Sequence, residues 1–250
     1  MNLLNSEIVV KGLTWIGVPT VFTYLCSMVI YPIWATGGDW LVIQNVWARW
    51  QGLNVAMIAF TSSIVAFNIS RINEIKQRER NFSAERAFLP SALSDLSTYF
   101  QECSKVLTNL WEHRPENQTE PMVPMVPKDT REVFRQCIRF ADPSVGQYLS
   151  QILVRLQIHC ARLEDTVADR DDRHNLIVYL YRLGELQALT NKLFDFARGE
   201  KTFDDSSLIL SDFRAAYLGF GLYPDRIGVD KEDTLIKFTQ CQISNHLDPK

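Results

Sequence analysis

Two long stretches without charge constrain this chain more than any other feature. Gly12 to Gly38 contains no Asp, Glu, Lys or Arg, and neither does Trp50 to Ser70. A helix needs ~20 apolar residues to cross ~30 Å of hydrocarbon, and Leu13 to Ala35 exceeds that length. The pattern predicts a pair of transmembrane helices within residues 1–70 and a separate domain over residues 71–250. A cleaved signal peptide would show an apolar region of only ~7–15 residues ending in a small-residue cleavage site. The first run is longer and ends in no such site.

Tryptophan placement sets the expected depth. Trp15 and Trp34 are ~28 Å apart on a helix rising ~1.5 Å per residue, which puts one indole near each headgroup region. Trp34, Trp40, Trp47 and Trp50 gather in or beside the short connection between the runs, so this connection is expected to lie on the membrane surface. Orientation follows from basic residues retained on the cytoplasmic side. Arg71, Lys76, Arg78 and Arg80 follow the second run, whereas the connection holds only Arg49 and the N-terminal tail only Lys11. Both termini are expected in the cytoplasm, with a two-span hairpin in an inner membrane.

The second run carries two phased stripes. Gly52, Ala56, Ala59, Ser63, Ala66 and Ser70 place small residues along one helix face, a composition that lets helix backbones approach closely. Asn54, Thr61 and Asn68 recur on the opposite face, where polar groups in hydrocarbon need a partner or water. Either both stripes hold the hairpin together, or the first helix takes one face and leaves the other to a second subunit or an aqueous lumen. In the first run, Pro19 deprives the Trp15 carbonyl of its helical partner and is a candidate kink.

Beyond Arg71 the periodicity is helical throughout. Leu89, Leu93, Leu96, Phe100, Cys103, Leu107 and Leu110 step by three and four, as do Val145, Leu149, Ile152, Leu156, Leu163 and Val167, and a third row follows at Leu176, Leu180, Leu183, Leu186 and Leu193. The expected fold is all-α, a helical bundle behind the membrane hairpin. Further helices are expected from Asp129, with Glu132 completing a capping box, from about 206 to 220, and from about 231 to 243 with Asp230 near its start. Prolines 115, 121, 124 and 127 mark a mobile loop near 114–128. Nothing breaks helix between Arg71 and Arg86, so the second span is expected to extend as a stalk, with Glu74 and Lys76 facing Arg78 and Arg80 on a solvated face.

Chemistry-bearing patterns are sparse. His113, His159, His174 and His246 show no metal-ligand spacing. His159 and Cys160 are adjacent on a helix and diverge by ~100°, so they read as a core thiol beside a half-buried imidazole rather than as a nucleophile and its base. Cys26, Cys103, Cys137, Cys160 and Cys241 form neither a disulfide framework nor a zinc ribbon. Asp169, Asp171 and Asp172 lack the glycine and distal glutamate of a calcium loop and suit a helix start. Gly219, Gly221 and Gly228 do not make a phosphate loop. The net charge of −3 argues against broad nucleic-acid binding, with Arg131, Arg135 and Arg139 as a local patch at most. No catalytic residue, cofactor or metal is expected.

A short two-helix membrane hairpin followed by a non-enzymatic helical domain resembles the small transmembrane effectors of bacterial antiviral systems, in particular those of retron-type abortive infection. There an effector accompanies a reverse transcriptase and its RNA–DNA product. The resemblance is one of architecture over the whole chain. It implies a dormant effector that associates with copies of itself, is held by a cytosolic protein or ribonucleoprotein partner, and damages the inner membrane when that partner is disturbed. The alternative is a passive anchor or adaptor that recruits a cytosolic complex through the bundle.

Overall fold

The computed structural model describes residues 15–112, 122–168, 173–225, 227–228 and 234–247. Pro115, Pro121, His113, the run Asp169, Asp171, Asp172, and the start near Asp230 and Lys231 lie outside the described residues, as do the side chains of Val167, His174 and His246. Every regular element among the described residues is a helix. The chain divides into two compact units, Met1–Gln77 and Arg78–Lys250.

In the first unit, helix α1 covers Trp15–Ala35, with a π-helical stretch at Cys26–Ile30. Gly37 and Gly38 then adopt φ of 63° and 91°, a left-handed conformation open to glycine, and turn the chain. Helix α2, Trp40–Arg49, starts where Asp39 Oδ1 accepts the Leu41 amide at 3.1 Å. The expected surface-lying connection is thus a capped helix of its own. Helix α3 runs unbroken from Gln51 to Arg86, 36 residues or ~54 Å. Both α1 and α3 are long and apolar enough to span a membrane.

The second unit begins within the last turns of α3 and continues through α4 (Leu89–Glu112), α5 (Lys128–Phe140), α6 (Pro143–Ala168), α7 (Arg173–Arg198), α8 (Leu210–Gly219) and α9 (Leu235–Leu247). Its centre is the pairing of α4 on α7, flanked by α5 against α6 and by α8 and α9 against α7. The helical rows explain this arrangement. Leu89, Leu93, Leu96, Phe100, Cys103 and Leu107 of α4 are buried, with Leu110 half-buried at the end. Val145, Leu149, Ile152, Leu156 and Leu163 of α6 and all five leucines of the α7 row are buried in the same core. Gly184 allows α7 and α8 to meet closely: a Cβ there would stand 2.4 Å from the ring of the fully buried Tyr217.

Several local expectations are corrected. Helix α5 begins at Lys128 behind Pro127, and no side chain caps it. Glu132 is taken up by Arg135 at 2.7 Å and Gln136 at 2.7 Å, so the Asp129–Glu132 capping box does not form. Helix α8 starts at Leu210, where the Ile209 amide donates to Asp212 Oδ2 at 2.9 Å. The segment before it is held in a turn, with Ser206 donating to Asp204 and Lys192 donating to Ser206. Residues 122–127 are irregular, but Val123 and Val126 pack on the core rather than forming a free linker. Arg78 is not confined to the Glu74 pairing of a solvated face, because it donates to the carbonyls of Phe140, at 3.0 Å, and Ala141.

Candidate functional site: the faces of the two apolar helices

The packing of α1 on α3 follows from which residues each helix turns inward. On α1 the least exposed positions before the final turn include Gly17, Val21, Tyr24 and Met28, spaced by four and three. On α3 they are Asn54, Met57, Thr61, Ile64 and Asn68, again spaced by three and four. A Cβ at Gly17 would meet the Ile64 side chain, while the Tyr24 hydroxyl donates to Asn54 Oδ1 at 2.7 Å. Ascending numbers on one helix meet descending numbers on the other, so the pair is antiparallel.

The polar stripe of α3 therefore faces α1, and its hydrogen bonds are made within the chain. Asn54 accepts from Tyr24 and donates through Nδ2 to the Trp47 carbonyl at 3.2 Å. Thr61 donates to the Met57 carbonyl at 2.8 Å, and Asn68 Nδ2 donates to the Ile64 carbonyl at 2.9 Å. Such back-bonds to the preceding turn satisfy a polar side chain where no water is present.

The opposite stripe is uncovered. Gly52, Ala56, Ala59, Ser63, Ala66 and Ser70 are all exposed. A Cβ at Gly52 would meet nothing within 4 Å. Ser63 directs its hydroxyl to the Ala59 carbonyl at 2.8 Å, which keeps that face smooth.

Helix α1 stays regular through Pro19, and its irregularity lies at Cys26–Ile30 instead. The cause is Pro32. It has no N–H to return to the Met28 carbonyl one turn earlier, and the Trp47 indole N–H reaches that carbonyl at 2.9 Å. Trp47 thereby fastens α2 to α1, and its ring meets Trp40 edge-on at a centroid distance of 6.1 Å. Trp15, Trp34, Trp40, Trp47 and Trp50 all keep exposed surface, most fully Trp15 at 82 % and Trp34 at 81 %. Sequence reasoning passed over Gly17, Tyr24 and Pro32. The spacing of Met28 and Pro32 was the one available signal, since a proline four residues on always orphans a helical carbonyl.

In the second unit, His159 is the buried partner and Cys160 the half-buried one, the reverse of the expected pairing. Among the described residues neither His159 ring nitrogen has a hydrogen-bond partner, and burial pushes its pKa down to about 4. Cys160 Sγ lies 3.6 Å from the Tyr99 hydroxyl. The patch of Arg131, Arg135 and Arg139 is partly neutralised, because Arg135 is bidentate to Glu132. Among the described residues, no group of three His, Cys, Asp or Glu side chains is placed to hold a metal.

Compared with protein-family models, with curated proteins and with solved structures, the chain matches none.

Proposed function

We propose that the protein is an integral inner-membrane protein with two spans and both termini in the cytoplasm, and that copies of it assemble through the small-residue face of α3. The observation that carries this reading is the division of α3 into a polar face occupied by α1 and a small-residue face that is exposed among the described residues. A soluble protein would bury its apolar helices. Here the most apolar window of α3 has no buried residue and that of α1 is 11 % buried, a surface that suits lipid. Close helix approach through small residues is the packing that lipid favours.

On this reading the protein is a membrane-disrupting effector of an antiviral defence system. A protein or ribonucleoprotein partner holds the bundle dormant, and its loss lets the α3 helices associate and breach the membrane. Architectural resemblance to abortive-infection effectors supports the defence role. Induced expression in bacteria carrying a potential-sensitive dye tests it. Wild type should depolarise the cells, and Ala59→Leu or Ser63→Leu should insert normally yet leave the potential intact.

One observation favours the rival anchor or adaptor. Asn54, Thr61 and Asn68 make their hydrogen bonds within the chain, which leaves no polar stripe on α3 to line a water-filled lumen. If wild-type expression leaves the potential unchanged under every induction level, the anchor takes the effector's place.

A further inference from the structure

A cavity of ≈ 430 Å³ lies between the irregular segment 123–127, the start of α5, and one residue each of α4 and α6. The segment supplies most of the wall, and its sequence makes that wall apolar. Val123 and Val126 are half-buried against the core, while Met125 between them is turned outward at 80 % exposure. Pro124 and Pro127 have no N–H, so the backbone there presents few donors to the cavity. Methionine is unbranched and flexible, which lets the Met125 side chain follow an irregular apolar ligand. The contributions of α4 and α6 are Tyr99 and Cys160, whose hydroxyl and thiol lie 3.6 Å apart and meet each other.

The two charged residues of the lining are both cations. Lys128 and Arg131 are three positions apart and share one face of α5. Among the described residues neither takes part in an ion pair. The neighbouring acid Glu132 is engaged by Arg135 and Gln136, and Asp129 is not part of the lining. An apolar wall that leads, in chain order, into a pair of uncompensated cations is complementary to an alkyl chain ending in an anionic head group. Charge alone would select little, because exposed cations stay hydrated and screened. Each methylene covered by the wall leaves water, so the chain supplies most of the affinity and the cations set which end goes where.

We propose that this cavity binds a single-chain anionic lipid, a free fatty acid or a lysophosphatidate, with its head group on Lys128 and Arg131 and its chain along residues 123–127. The volume falls in the ~300–1,000 Å³ range of small-ligand sites. The proposal concerns the second unit alone and does not depend on the membrane reading.

The test is photo-crosslinking of the full-length protein in phosphatidylcholine nanodiscs, with the labelled peptides mapped by mass spectrometry. The probe is palmitic acid carrying a diazirine in its chain, and the matching fatty alcohol is the neutral control. The acid should label the peptides containing residues 122–131 or Cys160 at least fivefold more than the alcohol does. Excess palmitate or lysophosphatidate should suppress that labelling, the stronger competitor identifying the source, and inorganic phosphate should not. The double variant Lys128→Gln, Arg131→Gln removes two exposed cations without breaking an ion pair and should lower labelling there at least fivefold. Met125→Glu, at an exposed position, should do the same by placing a like charge in the apolar wall. Labelling elsewhere in the chain should be unchanged in both variants. Absence of labelling at these peptides, equal labelling by the alcohol, full labelling in the double variant, or suppression by inorganic phosphate as strong as by either lipid would each overturn the proposal.

Discussion

The Tyr24 hydroxyl donates to Asn54 Oδ1 at 2.7 Å, and the Asn54 amide passes on to the Trp47 carbonyl at 3.2 Å. One side chain on α3 thus ties together the body of α1 and the end of α2. Asn54→Leu removes both bonds at once. Interhelical bonds of this kind contribute only ~0.6–2 kcal/mol each. The variant should still insert, and should lose the native α1–α3 pairing at a lower detergent-denaturant concentration when titrated with SDS. Tyr24→Phe should show a smaller shift in the same direction.

Trp47 offers a sharper contrast, because its partner is a backbone carbonyl already orphaned by Pro32. Trp47→Phe keeps the ring and removes the N–H, leaving the Met28 carbonyl unpaired at a cost of about 1–3 kcal/mol. Pro32→Ala should partly rescue that variant, since it restores an N–H within the helix. The same SDS titration of the two single variants and the double variant measures this coupling.

The two apolar helices and the rows of the second unit were legible in the sequence because each depends only on local pattern: an absence of charge, or apolar residues at a period of 3.6. Which stripe of α3 meets α1 was not legible. Both stripes have the right period, and the deciding contacts come from Tyr24 and Gly17, far away in the chain. The false capping box at Asp129 has a similar origin, because Glu132 had a competing partner one turn on in Arg135. Arg155 on α6 shows no partner in its own sequence neighbourhood, because the buried carboxylate it meets, Glu185, comes from α7.

Core packing in the second unit makes Gly184 an intolerant position. A methyl group there meets the rigid, fully buried Tyr217 ring, whose hydroxyl is held 2.8 Å from Thr239. Gly184→Ala should destabilise the unit by about 1–3 kcal/mol through overpacking. Thermal melting followed by far-ultraviolet circular dichroism should show a lower midpoint, with no change in helix content below the transition.

Acid sensitivity follows from His159. Its folded-state pKa of about 4 lies below the ordinary value of 6.5, because burial penalises the charged ring. Above pH 6.5 neither state takes the proton and the group is neutral to stability. As pH falls from 6.5 towards 4, the unfolded chain is protonated first, and stability drops by an amount on the order of 3 kcal/mol in total. Denaturant midpoints measured across this window should fall with acidity in wild type, and His159→Phe should flatten that dependence.

Topology is testable apart from any activity. Alkaline phosphatase, which folds only outside the cytoplasm, should be inactive when fused after Arg86 and active when placed between Gly37 and Arg49. The positive flank after Ser70 is the reason. The opposite pattern would invert the arrangement of the two spans.

Disulfide crosslinking between copies probes the exposed face of α3 most directly. Single cysteines are introduced along residues 52–70 in a Cys26→Ser background and oxidised in native membranes. The account predicts dimers from Ala59→Cys and Ser63→Cys, on the uncovered small-residue face, and none from Thr61→Cys or Asn68→Cys, on the face that α1 covers. Dimers from the Asn68 face, or none from any position, would contradict it.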